Sequence, residues 1–439
     1  MLGERSISTS QKILLLQVDT KGQSILLVMK YREHHRSMFL RCPSLLRLSF
    51  VVMRILFINL SFVFCLCLSA CDSSSSNQQP SQITIGLAAP LTGTSSRAGQ
   101  DMRTATEMAV ALANEDLEEG APSFRLAVED TRSTNDGTEE AFRNLVSKGV
   151  VFIVGPYSSS NTNHIIPLID ETRVVTIAPA SAAQGLAAKS DWLFRSSLTV
   201  DVLMPTGVSV TQKYLDYKNV GVLTNAGDHF SQNAEDKFIE EVGQLGGVSV
   251  GMKQSYNRPG SDPVPDLTPQ INALANADPK LDALFFFGLT ADRHSFILQA
   301  HELGVTDLPF VITLLSTSDI RSARESAPSS TEGILVLQVW VASSNHPASQ
   351  AYVKEHQSRY NSTPSDFSAR TYAGAELLLR AIMEVTPDNI SNDAVREQLA
   401  QMRNVDTIYG PFSFDDDGDA EYTPLVGIVR GASIELLED

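Results

Sequence analysis

Cysteine is the first thing this chain runs out of. Its 439 residues hold four, Cys42, Cys65, Cys67 and Cys71, and none lies beyond position 71. The body therefore has no intrachain disulfide framework, and no thiol there for catalysis or for a metal. Positive charge is also thin. Residues 1–70 carry nine of the 34 Lys/Arg and only three of the 51 Asp/Glu, which leaves 25 basic against 48 acidic groups. So acidic a body repels nucleic acid and anionic lipid surfaces. Catalytic signatures are missing as well. The chain beyond residue 71 has no H-E-x-x-H, C-x-x-C or G-x-x-x-x-G-K-[ST], no nucleophile and base are identified together, and no enzyme is expected. Its histidines, 164, 229, 294, 301, 346 and 356, never pair at ligand spacing beside carboxylates, except His294 and His301 seven apart. These read as solvated, and neither a metal nor a cofactor is expected.

What is present starts with an address. Met53-Arg54 is followed by ILFINLSFVFCLCL, an apolar run of 14 residues. That is short of the ~20 a membrane-spanning helix needs, and it fits the h-region of a signal peptide over 53–70. It ends in Leu68-Ser69-Ala70-Cys71, which resembles the bacterial lipobox, where cleavage precedes a Cys that carries lipid. A Ser/Asn/Gln-rich tether follows over 71–82. Cys71 is therefore the expected lipidation site, and a periplasmic or cell-surface, lipid-anchored location follows. Asp72 favours the inner membrane in a Gram-negative cell. Residues 1–52 fit no secretory pattern and read as a misassigned start or a disordered segment.

Beyond the tether, short apolar strands alternate with helices. Strands are predicted at 83–88, 124–130, 150–156 and 174–180, with helices at 99–117, 137–148 and 159–171. The rhythm restarts after Asp201, with strands at 220–224, 248–253, 283–288 and 309–313. Helices are predicted at 231–245, 267–277 and 291–303, and three more at 348–360, 367–385 and 392–402. Continuous apolar strands between helices mean parallel sheets covered on both faces. Two such runs predict an α/β fold of two doubly wound parallel-sheet lobes. The last stretch, YGPFSFDDDGDAEYTPLVGIVRG, reads as two strands around an Asp/Gly turn. Its Asp415-Asp416-Asp417-Gly418-Asp419 run has Ala420 and Val426 where a calcium loop needs Gly and Glu.

Ligands in such sheets bind beyond the carboxyl ends of strands. Three of these ends are rich in small and hydroxyl residues. They are Tyr157-Ser158-Ser159-Ser160, Ala180-Ser181-Ala182 and Leu91-Thr92-Gly93-Thr94-Ser95-Ser96. The first opens a helix, whose free N–H groups and hydroxyls suit an anion. The competing reading is that these serines only cap helices.

Three stretches carry a resemblance: IGLAAPLTGTSSRAGQDMRTATEMAVALAN, FIVGPYSSSNTNHIIPLIDETRVVTIAPASA and YGPFSFDDDGD. Over about 83–439 the chain resembles the leucine/isoleucine/valine-binding proteins, the type I periplasmic binding proteins of ABC transporters. The resemblance implies two lobes joined by three hinge crossovers, with a ligand in the cleft. Lobe 1 is expected at 83–200 and 342–407, and lobe 2 at 201–341 and 408–439. It further implies that Ser158 and residues 180–182 hold the carboxylate and amino group of an amino acid, and that Phe230 matches a closing Tyr. The candidate ligand-binding residues are Tyr157, Ser158, Ser159, Ala180, Ser181, Ala182, Phe230 and Thr290.

Departures from the family pattern bear on the ligand. Ala182 stands where amino-acid binders carry a hydroxyl, and Ala98 where they carry a Tyr. Leu289-Thr290 replace a common aromatic. Leu314-Leu315 replace the acid that pairs with the α-ammonium. A desolvated ammonium without a partner costs several kcal/mol. The expected ligand is thus a small carboxylate or amide with an apolar body rather than an α-amino acid, unless Asp228 or Asp101 reaches the cleft. The expected function is capture of that ligand for an ABC permease, by a monomer with no nucleic-acid partner. The alternative is a lipoprotein sensor that reports its ligand to a signalling receptor.

Overall fold

The computed structural model describes residues 82–118, 121–259 and 262–437. The expectations for Cys71, the signal peptide, most of the tether and residues 1–52 lie outside the described residues.

The first sheet is built from β1 (Gln82–Ala89), β2 (Ser123–Asp130), β3 (Phe152–Val154), β4 (Val175–Ala178) and β5 (Leu193–Arg195). Its order is β2-β1-β3-β4-β5, and every pair is parallel. Helices α1 (Ser96–Glu115), α2 (Asn135–Ser147) and α3 (Ser159–Thr172) connect these strands. The second sheet has β6 (Asn219–Asn225), β7 (Ser249–Tyr256), β8 (Ala283–Phe287), β9 (Phe310–Thr313) and β10 (Leu335–Gln338). They run parallel in the order β7-β6-β8-β9-β10, which repeats the pattern of the first. Between them lie α4 (Val200–Leu215), α5 (His229–Gln244), α6 (Thr268–Ala275), α7 (Thr290–Glu302) and α8 (Thr317–Ser326).

Strand β8, Ala-Leu-Phe-Phe-Phe, is buried along its whole length, as a strand covered by helices on both faces must be. Phe238 of α5 packs on Phe285 and Phe287. Phe296 of α7 stacks on Phe286 from the opposite face, with centroids 4.4 Å apart.

After β10 the chain returns to the first lobe. α9 (Pro347–Tyr360), α10 (Asp366–Glu384) and α11 (Asn392–Ala400) follow. Phe367, Leu377, Leu378 and Ile382 of α10 share one apolar core with Ile85, Val154 and Ile177 of the first sheet. β11 (Val405–Thr407), β12 (Gly410–Phe414) and β13 (Ala420–Glu421) form a small third sheet. Then β14 (Leu425–Arg430) and β15 (Ser433–Leu436) add antiparallel strands to the second sheet beside β10.

The third passage therefore falls after β13, not at the expected 407–408. Packing decides this. Phe412 and Phe414 are fully buried in the first lobe's core, and Phe414 meets Phe194 of β5 edge-on at 5.2 Å. Arg195 of β5 fixes the hairpin through its backbone N–H to the Gly418 carbonyl and through a two-pronged ion pair with Asp419. The Asp415–Asp419 run is the turn itself, with Asp415 Oδ1 accepting from the N–H groups of Asp417 and Asp419.

Candidate functional site

Carboxyl ends of four parallel strands, two from each sheet, meet at one small cavity. Tyr157, Ser158 and Ser159 follow β3, Ala180 follows β4, Leu289 follows β8 and Leu314 follows β9. Phe230 and Arg293 from α5 and α7, and Phe367 and Arg370 from α10, complete the lining of a cavity of about 20 Å³. The backbone turn that delivers Tyr157 depends on Gly155. Its φ is +117°, and a Cβ there would lie 2.2 Å from the Ala88 carbonyl oxygen, so only glycine fits.

Of the expected site residues, the structure brings Tyr157, Ser158, Ser159, Ala180 and Phe230 together on the cavity wall. Ser181, Ala182 and Thr290 do not line it. Thr290 stands one contact away, its hydroxyl 2.8 Å from that of Tyr157. Ala182 donates its N–H to Ser159 Oγ, as does Ala183, at 3.1 and 3.0 Å. Ser158 Oγ accepts the Asn161 N–H, as an N-cap does, and donates to Asn161 Oδ1. The hydroxyls of Ser158 and Ser159 are thus engaged in holding the loops. Capping, the competing reading of the serines, accounts for the Ser158 hydroxyl.

Neither acid considered for an ammonium lies on the cavity wall. Asp228 caps α5 through Ser231 and accepts from Ser160 Oγ across the lobes at 3.0 Å. Asp101 accepts from Ser365, and burial pushes its carboxyl up to about 6. Leu314, in place of the acid, does face the cavity, with φ of +56°. Leu315 is instead buried in the second lobe's core.

Sequence reasoning missed the two arginines. Arg293 belongs to α7 of the second lobe and Arg370 to α10 of the first. They are 2% and 1% exposed. Arg370 pairs with Asp366 at 2.8 Å and lies over the Phe367 ring, 4.4 Å from its centroid. Arg293 Nη1 is 3.7 Å from Asp319 Oδ2, too long for a hydrogen bond. On both arginines Nε and Nη1 are buried without a hydrogen-bond partner. Burial raises the Asp319 carboxyl to about 6 despite Arg293 beside it, and raises Asp366 despite Arg370. Burial also raises the Tyr157 hydroxyl, which therefore keeps its proton near neutrality. The available signals in sequence were the acid–base spacings Asp292-Arg293 and Asp366…Arg370, neither of which reports burial.

The lobes touch around this cavity. Besides Tyr157 with Thr290 and Ser160 with Asp228, the Gln184 N–H donates to Asn233 Oδ1 at 2.6 Å. Arg97 donates to the Ser318 carbonyl at 3.1 Å. The structure is a closed arrangement, with the cavity walled by both lobes.

Two doubly wound lobes, three connecting passages and a cavity at the facing strand ends define a solute-binding architecture. The family model described as periplasmic binding protein matches residues 82–426, and the chain belongs to that extracytoplasmic family, in its leucine/isoleucine/valine-binding type. Among curated relatives is the Leu/Ile/Val-binding protein homolog 3 of Brucella melitensis, 22% identical over 338 residues, covering 77% of this chain and 88% of the relative. Among solved structures is a branched-chain amino acid transporter substrate-binding protein of Streptococcus pneumoniae in complex with isoleucine. Its TM-score is 0.72 at 18% identity, covering 81% of this chain and 99% of that one. An ABC transporter solute-binding protein of R. palustris in complex with benzoate has a TM-score of 0.72 at 17% identity, over 81% and 95% of the two chains.

Proposed function

We propose that this protein is a lipid-anchored receptor that captures a small, apolar-bodied acid or amide and presents it to an ABC permease. The observation that carries this reading is the cavity between the lobes, walled by Tyr157, Phe230, Leu289, Leu314 and Phe367. As it stands the cavity measures about 20 Å³, little more than a water needs, so the lobes must part to admit a ligand. The acids Asp101 and Asp228 that could meet an α-ammonium lie elsewhere. The solved relatives hold an amino acid in one case and an aromatic carboxylate in the other, so the architecture admits both classes.

No bond is made or broken in this role. The ligand stabilises the closed arrangement because both lobes touch it at once, and the permease recognises the closed form. Ser158, Ser159, Ala180 and Phe230 shape the cavity. Tyr157 joins the lobes through Thr290. The anchor would be a lipid on Cys71. Metabolic labelling with radioactive palmitate tests it: the wild-type chain takes up label and fractionates with membranes, and Cys71→Ala loses both properties. Transport is tested by reconstituting the protein with an ABC permease and ATPase from the same organism. Loaded protein is expected to raise ATP hydrolysis, and no response would favour the sensor role.

A further inference from the structure

The capture reading leaves the ligand's polar group open between a carboxylate and an amide, and the arginines decide between them. Resting on that reading, we infer that the ligand is a carboxylate anion without an ammonium, held between Arg293 of one lobe and Arg370 of the other. The count of donors and acceptors carries the choice. Four buried guanidinium nitrogens, Nε and Nη1 of each arginine, lack partners, and both arginines line the cavity. A buried cationic donor left unpaired costs more than a neutral one. A carboxylate brings two oxygens with about four acceptor sites and no donor. It can therefore accept from an unpaired nitrogen of each arginine, though not from Nε and Nη1 of one guanidinium at once, since these lie on different edges. Charge-assisted bonds to guanidinium are the strong kind.

An amide brings one oxygen and adds two N–H donors to a site already in surplus of donors. An α-amino acid adds three ammonium donors and a further positive charge. The acids that balance the arginines, Asp319 and Asp366, do not line the cavity and already face the guanidinium groups; Asp366 Oδ1 is one unpartnered acceptor beside them, against four unpartnered nitrogens. Hydroxyls offer no substitute, since those of Ser158 and Ser159 are committed to backbone N–H groups. The apolar end of the ligand faces Phe230, Leu289, Leu314 and Phe367.

Because the arginines come from opposite lobes, one carboxylate ties the lobes together. Arg293 and Arg370 thus set specificity and supply the closing contact at the same time. Their positions are over-determined: Asp366 pairs with Arg370, Phe367 supports its face, and Asp319 flanks Arg293.

Isothermal titration of the full-length protein with matched probes tests this. The probes are benzoate and benzamide, and 4-methylpentanoate, 4-methylpentanamide and leucine. An acid is expected to bind at least tenfold tighter than its amide, and leucine to bind no better than the amide. Arg293→Gln and Arg370→Gln are each expected to weaken the acid by roughly ten- to a hundredfold, the loss of a charge-assisted hydrogen bond, and to leave the amide within a fewfold. Amides that bind as tightly as acids, or leucine that binds tightest, would overturn the inference while leaving the capture reading intact. Silence from all five probes would count against the capture reading itself. If the glutamine variants fail to fold, the acid-to-amide ratio on the unaltered protein still decides.

Discussion

Asp419→Ala is the perturbation that most directly tests how the third passage is pinned. Arg195 is fully buried, and Asp419 is its charged partner, with Nε–Oδ1 and Nη2–Oδ2 both at 2.5 Å. The remaining Nη1 of Arg195 donates to the carbonyls of Ser181 and Ala183, so the same guanidinium holds the loop beside Ala180. Removing the carboxylate strands a buried cation, which typically costs 3–5 kcal/mol. Burial keeps the Asp419 carboxyl above its ordinary range even against Arg195. The pair therefore carries a real desolvation cost, and we expect the lower end, about 3 kcal/mol. At the unfolding entropy of a chain this long, that is roughly a 4 °C fall in Tm. Differential scanning calorimetry reads it. Ligand affinity should weaken too, because the 180–183 loop loses its tie. The double change Arg195→Met with Asp419→Leu should recover most of the loss, since an apolar pair has no charge to strand. A single-variant shift below 1 °C, or no recovery in the double variant, would refute the reasoning.

Three further outcomes follow from the same geometry. Tyr157→Phe removes one neutral hydrogen bond between the lobes, worth about 1 kcal/mol; ligand affinity should fall about fivefold by calorimetry, and an unchanged affinity would mean that Thr290 contributes nothing to closure. Gly155→Ala should yield no folded protein, because the new Cβ meets the Ala88 carbonyl at φ +117°; Gly149→Ala, at φ +76° with open space around it, should cost only about 1 kcal/mol and serves as the control in denaturant melts. The pH dependence has a fixed sign: burial raises Asp101 and Asp319 to about 6 from 3.8, so between pH 4 and 6 the folded state binds more protons than the unfolded one. Stability should then fall as pH rises through that window, and melts at pH 5 should exceed those at pH 7. Asp319→Asn should flatten the slope, and a Tm that climbs from pH 5 to 7 would contradict the assignment.

Much of this fold was legible because apolar runs such as VVFIVGP and ALFFFG have a single good use, as buried parallel strands. What escaped did so for physical reasons. Helix α4 holds Pro205 and Gly207, both poor helix formers in isolation, and forms because Leu203, Met204 and Val208 pack into the second lobe's core. Helix α8, TSDIRSARES, is polar enough to read as loop, yet Ser316 and Asp319 close a capping box at its start. The hairpin β12–β13 was visible around its Asp/Gly turn. Its lobe was not, because only the tertiary contacts of Phe412, Phe414 and Asp419 place it. At the site, sequence pointed to the strand ends, and five of the eight named residues meet on one wall. It could not separate a hydroxyl free for a ligand from one spent on a cap, and that distinction removes the Ser158 hydroxyl, which both accepts from and donates to Asn161. It also could not reveal Arg293 and Arg370, since a buried arginine and a surface one look alike in a helix until packing is known.

The central claim is that a small acid is captured between the lobes. A thermal-shift screen of the full chain against a panel of amino acids, carboxylates and amides tests it most directly. A ligand present at a hundred times its dissociation constant stabilises the folded state by about 2.7 kcal/mol, well within detection. The account predicts that apolar-bodied carboxylates raise the melting temperature and branched-chain amino acids do not. A melt shifted by leucine, isoleucine or valine and unmoved by every carboxylate would contradict it.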